Sequence, residues 1–236
     1  MLEGLPGTLA RPEAAGLRLA YALLANLGVG IVLSLCLIRR HLRDAALGAA
    51  DYGLGGAART SASVAGAALV GYALFRLSHP QPVDAIVLLN AFAQVWAVSA
   101  AEIMVCWALV GATLRSALRP WSRAGAVLLA AAAASVLFGV YHFAHSPPFN
   151  EIRMVLFLTA VGFATSLWWF ASRDLYGTVV FHNFLGVTGV LAALEAAGKV
   201  PERAEPALPL IATAALVTAA IAWPGVRWRK KRKAHA

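Results

Sequence analysis

AIVLLNAFAQVWAVSAAEIMVCWALVGATL, residues 85–114, is a run of 30 residues with one charge, Glu102, near its middle. Coiled as a helix at ~1.5 Å per residue it would be about 45 Å long. The hydrocarbon core of a bilayer is only about 30 Å thick. The run therefore spans a membrane and carries Glu102 at depth. An acidic side chain there costs roughly 2.5–3.5 kcal/mol on insertion scales, and such groups face the bundle interior and mark a pathway or a reaction. The rest of the chain is read by what it can bring to Glu102, and the histidines at 142, 145 and 182 are the candidates.

Composition supports the same class. Hydrophobic residues make up 60% of the 236, charged residues 13%, and mean hydropathy is +0.71. Soluble domains run near 45–50% apolar and 25% charged, so a soluble domain is excluded. No long polar stretch is present to build a second one, and residues 1–236 read as a single integral membrane domain. The first 16 residues, with Glu3, Arg11, Pro12 and Glu13, lack the basic start and short apolar run of a cleaved signal peptide. The net charge of +9 does not point to nucleic acid, because six of the 20 basic residues crowd into Arg227–Lys233, just after the last apolar run. That basic tail, within residues 225–236, suits topology and a lipid surface. Cys36 and Cys106 both lie in apolar runs and read as small buried residues, not as a disulfide or a metal pair.

Seven apolar segments follow from where charges interrupt the sequence: Leu19–Ile38, Thr60–Phe75, Ala85–Leu114, Ala124–Tyr141, Met154–Ala171, Leu175–Leu194 and Ala207–Pro224. The expected fold is all-α, a polytopic transmembrane bundle of about seven spans. Gly53–Gly56, Pro80–Pro82, Pro147–Pro148 and Pro201–Pro206 mark loops. With the N-terminus outside, 14 of the 20 basic residues fall on the inner side and six on the outer, which places the C-terminus in the cytoplasm. A split or re-entrant helix would break that count, and the long third segment is where one is expected.

On the third helix Asn90, Gln94, Glu102 and Thr113 fall within about 140° of arc at ~100° per residue. Asn90, Gln94 and Thr113 read as hydrogen-bonding glue between helices. Glu102 reads as functional, because a neutral Gln would serve as glue at lower cost. The fourth helix ends Phe138-Gly-Val-Tyr-His142-Phe-Ala-His145-Ser-Pro-Pro, and spacings of four and three stack Phe138, His142 and His145 along one side. His145 lies nearer the outer surface and is expected to matter less than His142. The sixth segment carries His182 and Asn183 about two turns from its start. One buried carboxylate and two histidines suffice for hydrolysis: a desolvated carboxylate suits a general base, and histidine can position water, bind a metal or donate to an oxyanion.

These residues resemble a known family. Phe138-xxx-His142, an intervening apolar span, and then Val180-Phe-His182-Asn183-Phe-Leu-Gly are similar to the CPBP family, the CAAX-processing and bacteriocin-processing intramembrane endopeptidases, over roughly residues 95–190. The family pattern is EExxxR on one helix, FxxxH on the next, and a later His with an Asn about four residues on. Here a single acid, Glu102, stands for the pair, the Arg position falls at Cys106 or Trp107, and the amide is Asn183, with Gly186 at the +4 position. The resemblance implies water attack on a peptide bond of a membrane-associated, prenylated or leader-peptide substrate. It implies Glu102 and His142 activating the water, and His182 with Asn183 stabilising the oxyanion. It implies zinc as a candidate cofactor, with His142 and His182 as candidate ligands, although the helical HExxH zinc signature is absent. It also implies a bacterial inner (cell) membrane, with the lipid bilayer and a peptide or membrane-protein substrate as partners.

Three other readings compete. The missing second acid and Arg fit an inactive family member that serves as a membrane assembly or regulatory partner to another protein. His142, His145 and His182 fit a metal-dependent membrane oxygenase. A lone acid with histidines also fits a proton-coupled transporter, though matched broken helices are not evident. One geometric expectation opposes a shared site: the fourth and sixth helices are parallel, with His142 about 18 and His182 about 7 residues into their spans, roughly 16 Å apart in depth. For topology, a cysteine placed at Ser146 should be labelled by an impermeant reagent from outside the cell, and labelling from inside only would refute the arrangement.

Overall fold

The computed structural model describes residues 15–43, 47–79, 81–120, 122–145, 147–201 and 204–233. The N-terminal stretch with Glu3, Arg11, Pro12 and Glu13, the loop residues Pro80 and Ser146, and Arg203 and His235 lie outside the described residues. Among the described residues there are helices and no strands. Helix α1 joins Ala15–Tyr21, a π-helical stretch Ala22–Leu33, and Ser34–Arg43. Helix α2 is Ala57–Ser78. Helix α3 joins Ala85–Glu102, a π-helical stretch Ile103–Gly111, and Ala112–Leu118. Helix α4 is Arg123–Tyr141, tightening into a 3₁₀ turn at His142–Ala144. Helices α5 (Ile152–Ser172), α6 (Leu175–Ala196) and α7 (Leu208–Lys233) complete the bundle.

Six of these helices are long and apolar enough to cross a membrane, and the seventh offers a shorter apolar run, Leu208–Trp223. The expected all-α polytopic bundle is thus the observed fold, and its helices match the apolar segments closely. Large apolar side chains point outward, as Leu69, Leu77, Leu128, Leu167 and Trp223 do, each at least 66% exposed. In water such a surface would be unstable; in hydrocarbon it is the expected one.

Helix α3 is the hub. In its most apolar window 72% of the residues are buried inside the protein, against 22–50% in the other five long helices. It is not split. One continuous helix runs through a π-helical stretch that begins directly after Glu102, so the 14-to-6 charge count is not disturbed by a break.

Local chemistry sets the helix starts. The Asp84 side chain accepts from the amides of Ile86 and Val87 at the head of α3. Ser122 accepts from Gly125 at the head of α4. Asp174, fully buried, accepts from Gly177 at the head of α6 and from the Thr60 hydroxyl of α2 at 2.7 Å. Each side chain satisfies donors that the first turn leaves open. Helix α5 ends where Arg173 takes a left-handed conformation with φ 50°.

Close approach sets the packing around α3. A Cβ on Gly186 would come 2.5 Å from a methyl of Val95, and one on Gly30 would collide with the Cβ of Ala101. Glycine therefore lets α6 and α1 pack closely against α3 in the turns that lead up to Glu102. Polar glue links the remaining helices. Trp107 Nε1 donates to Ser166 Oγ at 2.8 Å, and Ser166 pairs with Ser135 at 3.0 Å, joining α3, α5 and α4. Asn90 donates to the carbonyl of Glu205 at 2.7 Å and accepts from the amide of Ala207 at 2.9 Å. This is the structural role expected of Asn90, and it tethers the approach to α7.

Candidate functional site

Glu102 is 7% exposed and is the last residue of α3 before the π-helical stretch. Such stretches recur at functional sites, because the wider turn re-aims the side chains around it. This one also breaks the ~100° phase that put Thr113 on the same stripe as Glu102, since nine π-helical residues lie between them.

The carboxylate meets two histidines from two different helices. His182 Nε2 lies 3.1 Å from Oε2. His142 Nε2 lies 3.8 Å from Oε1, beyond hydrogen-bond range. His142 and His182 are both buried, at 6% and 3% exposure.

The expected depth mismatch is closed in two steps. Ser135 of α4 is level with Ser166 of α5, and the adjacent Thr165 bonds His182 of α6 at 2.8 Å. His182 is thus level with about residue 136 of α4, because α4 begins further before that level than α6 does. The remaining six residues to His142, roughly 9 Å, are spanned by the side chains, with Glu102 between the two rings. The Phe138 ring fills the corner, with centroids 4.7 Å from His142 and 5.0 Å from His182.

Proton bookkeeping fixes what each group offers. His142 Nδ1 donates to the carbonyl of Phe138 at 2.7 Å. In the neutral ring Nε2 then carries a lone pair, directed at the Glu102 side of the site. His182 has both nitrogens engaged, Nε2 with Glu102 and Nδ1 with Thr165 Oγ1, while the same hydroxyl lies 3.1 Å from the carbonyl of Val161. Whichever way Thr165 turns its proton, one proton lies between His182 Nε2 and Glu102 Oε2. The two carboxylate oxygens therefore differ: Oε2 is committed to His182, and Oε1 is buried with no hydrogen-bond partner among the described residues.

His145, expected near the outer surface and to matter less than His142, lies beside it. The 3₁₀ turn brings its ring back beside His142, centroids 4.9 Å apart. It is part-buried, and its Nε2 also has no partner among the described residues. The Tyr141 and Tyr21 rings pack around it at 4.9 and 6.0 Å, and their hydroxyls hydrogen-bond each other. A carboxylate oxygen of Glu102 and one nitrogen each of His142 and His145 lie within 4.8 Å of one another.

That grouping differs from the expected metal ligands. Both nitrogens of His182 are engaged, by Thr165 and Glu102, and among the described residues the group that could hold a metal ion is Glu102, His142 and His145. Asn183 is fully buried beside His182, about 100° round the helix. Its amide has no hydrogen-bond partner among the described residues and bonds neither Glu102 nor His182. Trp107, at one of the two positions where the family pattern has Arg, packs its ring 5.6 Å from that of His182.

Sequence reasoning missed Thr165, Tyr21 and Tyr141. Thr165 carries no distinguishing signal, since a threonine in an apolar helix commonly bonds its own backbone. Tyr141 could have been noticed as the neighbour of His142. No family model matches the chain, and no curated protein or solved structure matches it significantly.

Thr165→Val keeps the shape and leaves the buried Nδ1 of His182 unpaired, which should cost about 1–3 kcal/mol of stability. Thr165→Ser should stay near wild type. An unchanged unfolding midpoint of Thr165→Val in mixed micelles would show that the contact carries no energy.

Proposed function

We propose that this protein is a CPBP-like intramembrane endopeptidase, hydrolysing a peptide bond of a membrane-associated substrate of the prenylated or leader-peptide class. It would act in the cell membrane with the basic tail in the cytoplasm. The observation that carries the reading is the asymmetric carboxylate of Glu102, one oxygen held by His182 and the other unpartnered beside His142.

A water molecule suits the gap. Glu102 Oε1 and His142 Nε2 stand 3.8 Å apart, so one water can sit at an ordinary hydrogen-bond length of about 2.8 Å from both. Glu102 Oε1 and the neutral His142 Nε2 are both acceptors, so such a water points its two protons at them and its lone pairs away. A substrate carbonyl facing those lone pairs would be attacked by the water oxygen. Oε1 takes the proton as the C–O bond forms, and the carboxyl then gives it to the nitrogen of the departing amine as the C–N bond breaks. His182, fixed by Thr165, holds Oε2 and so aims Oε1. This role differs from the oxyanion donation that the family pattern implies for His182. The low-dielectric surroundings strengthen each of these interactions.

In proteoliposomes presented with membrane-anchored leader peptides and prenylated C-terminal peptides, the wild type should release a defined fragment by mass spectrometry. Glu102→Gln, which nearly keeps the shape, should slow release by roughly 10²–10⁴-fold. Undiminished cleavage by Glu102→Gln would refute the hydrolase reading. Absence of cleavage by a well-folded wild type across both substrate classes would favour the inactive, partner-binding reading.

A further inference from the structure

We propose that Glu102, His142 and His145 form a binding site for a single divalent cation of the zinc class, with His182 acting behind it as the residue that orients the carboxylate ligand. The inference rests on the reading of this cluster as the reaction centre; with the cation bound, Glu102 Oε1 is a ligand and not the base, and His145, a residue outside the FxxxH pattern, is added as a second histidine ligand.

Several independent observations carry it. The donor set, two histidines and a glutamate, is one that catalytic zinc sites use while leaving a fourth position open. The three donor atoms lie within 4.8 Å of one another. Two polar atoms of the cluster, Glu102 Oε1 and His145 Nε2, are buried with no hydrogen-bond partner among the described residues. A buried polar atom without a partner costs free energy, and one cation would satisfy both.

The outer shell is built as metal sites build it. His142 donates its Nδ1 proton to the Phe138 carbonyl, which frees Nε2 for a metal. Glu102 gives Oε2 to His182, which leans on Thr165, which leans on the Val161 carbonyl. Two of the three inner donors, His142 and Glu102, thus have their far sides tied down. At bonds of about 2.1 Å, tetrahedral donors stand roughly 3.4 Å apart. The Glu102–His142 pair, at 3.8 Å, needs to close by only a few tenths of an ångström. His145 has further to come, and it sits just after the end of the 3₁₀ turn, where α4 has already given way to loop.

The charge balance agrees. Two neutral imidazoles and one carboxylate around a dication leave a single positive charge, which a bound hydroxide or a substrate carbonyl would complement. A zinc ion held there would lower the pKa of a bound water to about 7. His41 makes a useful contrast. Its Nδ1 already bonds the Tyr52 hydroxyl at 2.8 Å, at the inner end of α1, away from this cluster.

The test is metal binding by the full-length, tag-free protein in detergent, read separately from any cleavage. After stripping with a chelator, the protein is equilibrated with Zn²⁺ and its metal content measured, and Co²⁺ is used as a spectroscopic probe. About one Zn²⁺ per chain should be retained, and Co²⁺ should show the intense visible absorption of a low-coordinate nitrogen and oxygen site. His145→Ala and Glu102→Gln should each lose the bound ion while keeping helical circular dichroism, and His41→Ala should bind as the wild type does. His182→Gln should bind about 10–100-fold more weakly, as loss of an outer-shell partner does. No retained Zn²⁺ in the wild type, or equal retention in His145→Ala, would overturn the site. Glu102-dependent cleavage by a metal-free protein would discard the metal and keep the hydrolase. A bound ion with no cleavage of any substrate would keep the metal and discard the hydrolase.

Discussion

A carboxylate inside an apolar bundle has to be paired, and the architecture around Glu102 follows from that constraint. The isolated charge would be costly in hydrocarbon. Helix α3 therefore runs through the centre of the bundle, and its neighbours bring partners to it. Gly186 lets α6 close on α3, so that His182 reaches Oε2. Helix α5 supplies Thr165 to hold the far side of that imidazole. Helix α4 supplies His142 and His145 from its last turn.

The pairing is incomplete in one place. One oxygen of Glu102 is satisfied, while the other faces a histidine lone pair across 3.8 Å. A purely structural ion pair would close that gap, because an unmet buried acceptor costs about 1–3 kcal/mol. Here the gap is held open by restraints on each side: the Phe138 carbonyl fixes the His142 ring, and His182 fixes the carboxylate. Groups held apart in this way are preorganised for something placed between them, whether a water or a cation.

Much of the fold was legible, because the hydrocarbon thickness of a bilayer dictates how long an apolar run must be. The charges at Arg43, Arg76, Arg123, Arg153 and Arg173 bound the runs, and the helices end near them. Glu102 stood out as the lone charge in its span, and His142 with His182 followed from spacing. The π-helical stretches were not legible: their apolar residues would fit an α-helix equally well, and only contact with neighbours selects the wider turn. The stagger between α4 and α6 was also hidden, since sequence gives the length of a helix but not its offset along the membrane normal. The position of the His145 ring was hidden for the same reason. Counting along α4 placed it near the surface, yet the 3₁₀ turn tucks its ring beside His142.

The central claim is that Glu102 and His142 act as one unit on one substrate molecule. A double-mutant cycle on cleavage rate measures this most directly, using wild type, Glu102→Gln, His142→Ala and the pair in the same proteoliposomes. Residues that work as a unit are strongly non-additive, because losing either removes the shared step. The account predicts that the double variant cleaves no more slowly than the slower single variant. A rate loss in the double variant equal to the product of the two single losses would show two independent contributions and would contradict a shared centre.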